Sequence, residues 1–302
     1  MKKNIIAMAG LGFLAITAVV ADDVGKIYND FDGDRRSDPA IYYPDSGIWE
    51  ILQTSTLTLR TEQMGFGACL PAPGDFDGDG KADVVVFDST TACWYYKLSS
   101  GPEGSGVFGW PGTWPVPGDY DGDCITDPAV YDPLTGIWTV FLTRTKTIAS
   151  GKWGYLGDFR PWENPQTYTV LPMPFDFNQD GLDDLAFYYR GLSMADSGWD
   201  ILYLGLGNTE HYTWGSSGSL PAPGRYQVPM AEAPRGVCVY KISTAEWAIP
   251  YRKAFYMGAY GQTLPVPAGD YDGNGFDDNA VYNYVIGLWT IVFNTGGAPV
   301  DD

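Results

Sequence analysis

The sequence predicts an all-β chain, a six-bladed β-propeller of repeats about 45 residues long, closed by its N-terminal strand. Three observations carry this reading. A nine-residue aspartate-rich loop recurs, with first positions at Asp30, Asp75, Asp119, Asp176, Arg225 and Asp270, stepping by 45, 44, 57, 49 and 45 residues. A tryptophan follows each loop start: Trp49, Trp94, Trp138 and Trp289 by 19 residues, Trp199 by 23 and Trp247 by 22. The intervening segments read as short strands joined by turns, with no amphipathic helix after the first 21 residues.

Each unit runs in the same order. The loop leads into a β-rich run, as in Asp83–Phe87 or Pro128–Tyr131, then a turn such as Asp132-Pro-Leu-Thr-Gly136, then an alternating strand such as Ile137–Leu142. A further strand surrounds an aromatic-Gly pair: Phe66-Gly67, Phe108-Gly109, Trp153-Gly154, Trp214-Gly215 and Tyr260-Gly261. A Pro-x-Pro segment then precedes the next loop, at Pro71/Pro73, Pro115/Pro117, Pro172/Pro174, Pro221/Pro223 and Pro265/Pro267. Four short strands cannot bury both faces of their sheet alone, so the units must stack face to face; β-solenoids use shorter periods, and a ring fits better. The stretch after Trp289 is short for a whole blade, and Val24 to Asn29 occupies the place of a Pro-x-Pro strand before the first loop. The N-terminal strand is therefore expected to complete the last blade and remove the exposed edges.

Residues 1–21 read as a secretory signal: Lys2 and Lys3, an apolar run from Ile5 to Val20, and the small pair Val19/Ala21 before Asp22-Asp23. An uncleaved anchor is the alternative, but the run is short for a span. Residues 22–302 are then one propeller domain, secreted to the extracellular space or cell surface, with no membrane insertion after cleavage. The net charge is −19, or −21 without the two lysines, which disfavours nucleic acid and anionic lipid as partners. Aspartate supplies 30 of the 37 acidic residues, a bias toward turns and oxygen-ligand sites over helix surfaces. Cys69, Cys93, Cys124 and Cys238 allow three pairings; Cys69 and Cys93 share a repeat and are the preferred pair, with buried thiols as the alternative.

Five loops carry carboxylates or amides at positions 1, 3, 5 and 9. They are Asp30/Asp32/Asp34/Asp38, Asp75/Asp77/Asp79/Asp83, Asp119/Asp121/Asp123/Asp127, Asp176/Asn178/Asp180/Asp184 and Asp270/Asp272/Asn274/Asp278. Such crowded negative charge calls for a divalent cation, and calcium, which takes six to eight oxygens in loose geometry, is the expected cofactor at about five sites. By analogy with the EF-hand, position 7 is expected to add a backbone carbonyl: Arg36, Lys81, Ile125, Leu182 and Phe276. Magnesium resists full dehydration, and no His or Cys stands at zinc spacing. Glycines at positions 4 and 6 suit a tight turn, so Arg35, Cys124 and Gln179 at those positions predict strain. The fifth copy, Arg225 to Ala233, has lost its ligands and is expected to hold no ion.

The Asp-x-Asp-Gly-Asp-Gly-x-x-Asp loop, with Phe66-Gly67 through Asp75 and Pro115-Val-Pro-Gly-Asp119-Tyr120, resembles the FG-GAP/VCBS repeats that include the propeller of integrin α subunits. The resemblance covers essentially all of residues 22–302 and implies calcium in the loops between blades; it implies adhesion or ligand binding more weakly. Propellers of that family often have seven blades, against six units here. The insertion near Tyr155 to Val170 is either a covering loop with no ligand or a binding loop, where Arg160, Trp162 and Glu163 offer a stacking face and polar groups for a glycan or a protein. A second insertion runs from Arg190 to Gly198. The six repeat tryptophans are expected to pack between blades, leaving Trp110, Trp114 and Trp214 as surface candidates. The only histidine, His211, belongs to no recognisable catalytic motif, so a non-enzymatic binding module is expected. The alternatives are a subunit that self-associates into oligomers or filaments, and a carbohydrate-active enzyme such as a polysaccharide lyase.

Overall fold

Six antiparallel sheets follow one another along the chain and stand in a ring as a six-bladed β-propeller, with no helix among the described residues. The structure is a computed structural model and describes residues 29–67, 69–154, 169–190, 197–216, 218–226, 236–250, 253–266 and 269–294. Blade one holds β1 (Ala40–Tyr43), β2 (Ile48–Gln53) and β3 (Thr58–Gln63); blade two holds β4 (Cys69–Pro71), β5 (Val84–Asp88), β6 (Cys93–Lys97) and β7 (Glu103–Val107). Blade three holds β8 (Trp114–Pro115), β9 (Ala129–Asp132), β10 (Ile137–Leu142) and β11 (Thr147–Lys152). Blade four holds β12 (Thr169–Pro172), β13 (Leu185–Arg190), β14 (Gly198–Leu202) and β15 (Thr209–Tyr212). Blade five holds β16 (Ser219–Pro221), β17 (Val239–Lys241), β18 (Glu246–Ala248) and β19 (Phe255–Tyr256), and blade six β20 (Thr263–Pro265), β21 (Asn279–Asn283) and β22 (Leu288–Val292).

The first and last loops meet: the Ser37 amide donates to the Asp270 carbonyl at 2.9 Å, closing the ring. The segment expected to supply the closing strand, residues 24–28, lies outside the described residues.

The period-2 alternation of the third strands puts one tryptophan per blade between neighbouring sheets. Trp138, Trp199 and Trp247 are almost wholly buried, and Trp49 and Trp94 nearly so. Each meets an aromatic residue on the preceding strand of its own sheet: Tyr42–Trp49, Phe87–Trp94, Tyr131–Trp138, Tyr188–Trp199 and Tyr240–Trp247 at centroid separations of 5.0–5.4 Å. A side chain of this size removes roughly 200 Å² from water, about 5 kcal/mol at 25 cal/mol per Å². The clusters bridge blades; Trp138 shares one with Leu185, and Trp199 shares one with Val237 and Val239.

The aromatic-Gly signature needs a correction of register in two repeats. The glycine that turns the chain after the outer strand has positive φ, at Gly109, Gly154 and Gly215 as expected, but also at Gly65 and Gly258. Met64-Gly65 and Met257-Gly258 therefore hold the place given by sequence to Phe66-Gly67 and Tyr260-Gly261. The site asks for an apolar side chain before a left-handed residue, and methionine meets that demand as well as an aromatic ring does.

The expected Cys69–Cys93 bridge is also corrected. Both face Asp88 of β5 from opposite sides, Cys69 on β4 and Cys93 on β6. Two strand spacings of about 4.8 Å put their Cα atoms roughly 10 Å apart, beyond disulfide reach, and both are thiols.

Candidate metal centres

Each aspartate loop is a compact turn built around its own first carboxylate. Asp75 Oδ1 accepts the Gly78 and Asp79 amides at 2.7 and 3.2 Å, and its Oδ2 accepts Gly80 at 2.8 Å. Asp30, Asp119 and Asp270 repeat this set. Asp176 holds the Asp180 and Gly181 amides at 3.1 and 2.9 Å. Position 9 ties the loop to the sheet: Asp83 Oδ2 accepts the Phe76 amide at 2.8 Å and Oδ1 the Ser99 amide at 2.7 Å. Asp38, Asp127, Asp184 and Asp278 do the same, the last through Asn294 at 2.6 Å.

These turns bring positions 1, 3 and 9 together. In Asp30/Asp32/Asp38, Asp75/Asp77/Asp83, Asp119/Asp121/Asp127 and Asp270/Asp272/Asp278, one carboxylate oxygen from each residue lies within 4.8 Å of the others. The fourth loop has Asn178 at position 3, so its carboxylates are Asp176 and Asp184 beside an amide oxygen. Position 5 is held differently. Asp34, Asp79, Asp123, Asp180 and Asn274 accept the position-7 amides of Arg36, Lys81, Ile125, Leu182 and Phe276 at 2.8–3.0 Å. Asp34, Asp79 and Asp123 also accept the hydroxyls of Thr54, Ser99 and Thr143.

The electrostatics of these loops suit a cation. Burial, helped by the neighbouring carboxylates, pushes Asp38, Asp127 and Asp278 up to about 6, Asp83 to about 7 and Asp184 to about 8, against the amide bonds that pull them down. Burial raises Asp30 and Asp75 as well. A hard divalent ion with oxygen ligands relieves this penalty, and the donor set of carboxylate and amide oxygens fits calcium.

The loops also interlock around the ring. The position-8 amides of Ala82, Thr126 and Asp183 donate to the position-1 carbonyls of Asp30, Asp75 and Asp119, each at 2.7 Å. The position-7 side chains lie over the position-4 glycine of the loop before. A Cβ on Gly33, Gly78, Gly122 or Gly273 would stand 2.7–3.2 Å from Lys81, Ile125, Leu182 or Arg36. In these four loops position 4 thus favours glycine for a neighbour's side chain as well as for its own φ. Arg35, Cys124 and Gln179 do take left-handed φ of 62–65°, the strain expected from their identities.

The fifth copy behaves differently. Arg225 is buried; its amide donates to Asp277 Oδ2 at 2.5 Å, and its guanidinium reaches the Gly275 carbonyl. A fixed cation stands at the place of the first carboxylate. Burial still pushes Asp277 up to about 7, although Arg225 pulls it down. Sequence reasoning passed over this carboxylate and Asp183, whose Oδ2 accepts the Asp119 amide at 2.6 Å. An aspartate at position 8 in two loops was the available signal.

Blade four carries a second polar group that no motif announced. His211 Nδ1 lies 2.7 Å from buried Asp200 Oδ1, its direct cross-strand neighbour. The Tyr189 ring stacks on the imidazole at 5.8 Å and 14°. The pairing follows from register, which spacing along one strand cannot reveal. Of the proposed surface tryptophans, Trp110 is half-buried and bonds Asp132 at 3.3 Å, Trp114 packs on Tyr131, and Trp214 bonds the Ala248 carbonyl at 3.1 Å. All three are engaged in the fold. Arg160, Trp162 and Glu163 lie outside the described residues, as does the run from Gln227 to Ala233. No helix among the described residues is long and apolar enough to cross a membrane.

No protein-family model and no curated protein matches the chain. Solved structures do. Hydrazine synthase of Kuenenia stuttgartiensis aligns at TM-score 0.48 and 10% identity over 95% of this chain and 100% of its own. Virginiamycin B lyase of Staphylococcus aureus aligns at 0.46 and 7% over 85% and 77%, and a streptogramin B lyase at 0.42 and 7% over 92% and 85%. One fold hosts many functions, so activity has to be read from this chain's own residues.

Proposed function

We propose that the protein is a secreted, calcium-loaded propeller that binds glycans or proteins at the cell surface rather than catalysing a reaction. The observation that carries the calcium reading is the set of four carboxylate triplets, each converging within 4.8 Å around buried aspartates held above their ordinary pKa. The resemblance of the loops to FG-GAP/VCBS repeats supports the same role. Calcium fixes the loops, and the ring they stiffen presents its outer surface and insertions to a ligand. The acidity of the chain favours neutral or basic partners over anionic ones. A glycan array probed in calcium and again in EDTA tests this. Binding of a defined glycan or envelope protein that disappears in EDTA is expected; no binding in either condition overturns the reading.

The Asp200–His211 pair favours a second reading, a proton-transferring enzyme. A buried carboxylate holds Nδ1, and Nε2 of the half-exposed imidazole lies 3.1 Å from the Tyr189 hydroxyl, so the three groups form a chain along which a proton can pass. Turnover on a panel of neutral and acidic polysaccharides, abolished by His211→Ala at unchanged melting temperature, would favour it; no turnover leaves the binding module.

A further inference from the structure

On the reading that the loops hold calcium, we infer that the position-7 side chain of each loop sets the ion affinity of the loop before it. Lys81 and Arg36 then act as built-in competitors of the ion at loops one and six. Loops one and two make the direct comparison. Both carry four aspartates at positions 1, 3, 5 and 9: Asp30/Asp32/Asp34/Asp38 and Asp75/Asp77/Asp79/Asp83. Both have glycine at position 4 with positive φ, 86° at Gly33 and 78° at Gly78. Both take two hydroxyls onto the carboxylates, from Thr54 and Ser55 on loop one and from Ser99 and Ser100 on loop two. From these groups alone the two loops would hold an ion equally well.

Their covers differ. The Lys81 stem crosses Gly33, with Cε 2.7 Å from where a Cβ would stand, whereas Ile125 Cδ1 covers Gly78 at 3.0 Å. Position 4 lies between the carboxylates of positions 3 and 5. Lys81 therefore belongs to loop two by sequence but carries its ammonium beside loop one. The pattern continues around the ring: Leu182 Cδ2 covers Gly122 of loop three at 3.0 Å, and Arg36 Nε stands 3.2 Å from the Cβ place of Gly273 in loop six. Arg144 also reaches loop three, its guanidinium donating to the Gly122 carbonyl at 2.5 Å. Of these four loops, loop two alone has no cation at its position-4 glycine. Among the described residues no ion pair holds Lys81 or Arg36, so neither charge is cancelled by a carboxylate at bonding distance. The loops also have acceptors to spare: Asp121 Oδ1 in loop three is buried and receives no hydrogen bond among the described residues.

A fixed positive charge acts with opposite sign on the two states of a loop. Without an ion it offsets the crowded carboxylates and stabilises the turn. With an ion it repels the bound cation. A unit charge within about a Debye length of a divalent ion changes its affinity roughly two- to tenfold. The ring therefore carries graded sites. Loop two fills first, and loops one and six fill at higher calcium but hold together better when calcium is low.

The test uses the full chain and calcium alone. Lys81→Met keeps the stem and removes the charge. Isothermal titration calorimetry is expected to show one site tightened two- to tenfold, and scanning calorimetry in EDTA a lower melting temperature. Asp32→Ala, which disables loop one, is expected to abolish that gain, and Asp77→Ala, which disables loop two, to leave it. Ile125→Lys is expected to do the reverse at loop two, weakening its calcium and raising the melting temperature in EDTA. Unchanged affinity in Lys81→Met overturns the proposal while the calcium reading stands. So does a gain that survives Asp32→Ala but is lost with Asp77→Ala, which would place the Lys81 charge on its own loop. A melting temperature that falls equally in calcium and in EDTA, with affinity unchanged, marks a packing contact and overturns it too. Wild-type protein that binds no calcium at any loop sinks the calcium reading and this grading together.

Discussion

Treatment with EDTA is expected to lower the melting temperature by about 10 °C or more. A ligand that binds only the folded chain stabilises it by about 2.7 kcal/mol when present at one hundred times its Kd. Each kcal/mol moves the melting temperature of a domain this size by roughly 2–4 °C. Two occupied loops suffice for the stated shift, and five would exceed it. The reason the effect is large lies in the loop geometry: without an ion, Asp30, Asp32 and Asp38 and their counterparts hold like charges within 4.8 Å in a partly desolvated turn. Five ions would also bring the net charge of residues 22–302 from −21 to −11, easing repulsion across the whole ring. Differential scanning calorimetry in calcium and in EDTA measures it. A melting temperature that does not move in excess chelator rules out structural calcium at these loops.

The chelated protein is expected to become less stable as pH rises from 5 to 8, the reverse of what its acidity alone suggests. The position-9 aspartates titrate in the fold near 6 for Asp38, Asp127 and Asp278, near 7 for Asp83 and near 8 for Asp184. In the unfolded chain an aspartate titrates near 3.9. The folded state therefore binds more protons, and the stability these groups contribute is complete below about pH 4 and lost as pH climbs through 6 to 8. Asp88 and Asp132 pull the other way. Despite burial, hydroxyl and amide bonds hold them below their ordinary value, so their contribution is lost only in acid, outside this window. Calcium competes with the protons, so the gap between the melting temperatures with and without calcium should widen toward pH 8. Thermal melts at pH 5, 6.5 and 8 in both conditions read this directly. A chelated protein that gains stability across that range would mean these carboxylates are not buried beside one another without a cation.

Much of the candidate site was legible because it is local. Positions 1, 3 and 9 converge within a nine-residue turn whose internal hydrogen bonds run from the carboxylates to amides two to seven residues away. Such geometry follows from Asp and Gly at fixed offsets, and it is repeated often enough to be read without any long-range contact. The position-5 residues were placed in the same ligand set, yet the structure ties them to the hydroxyls of Thr54, Ser99 and Thr143, about 20 residues onward in a neighbouring turn. That contact depends on how the hairpin folds back, which the loop motif does not encode.

The repeat period, the paired carboxylates and the tryptophan register determined the fold class, because each is a property of one strand or one turn. What the tertiary structure decided lies between strands and between blades. The Ser37–Asp270 bond closes the ring, Lys81 and Ile125 cover the glycines of the loops before them, the Arg225 amide donates to Asp277, and Asp200 meets His211 across β14 and β15. These contacts join residues from about ten to more than two hundred positions apart. Their geometry is set by sheet register and by the angle at which one blade packs on the next, and a linear pattern carries neither quantity.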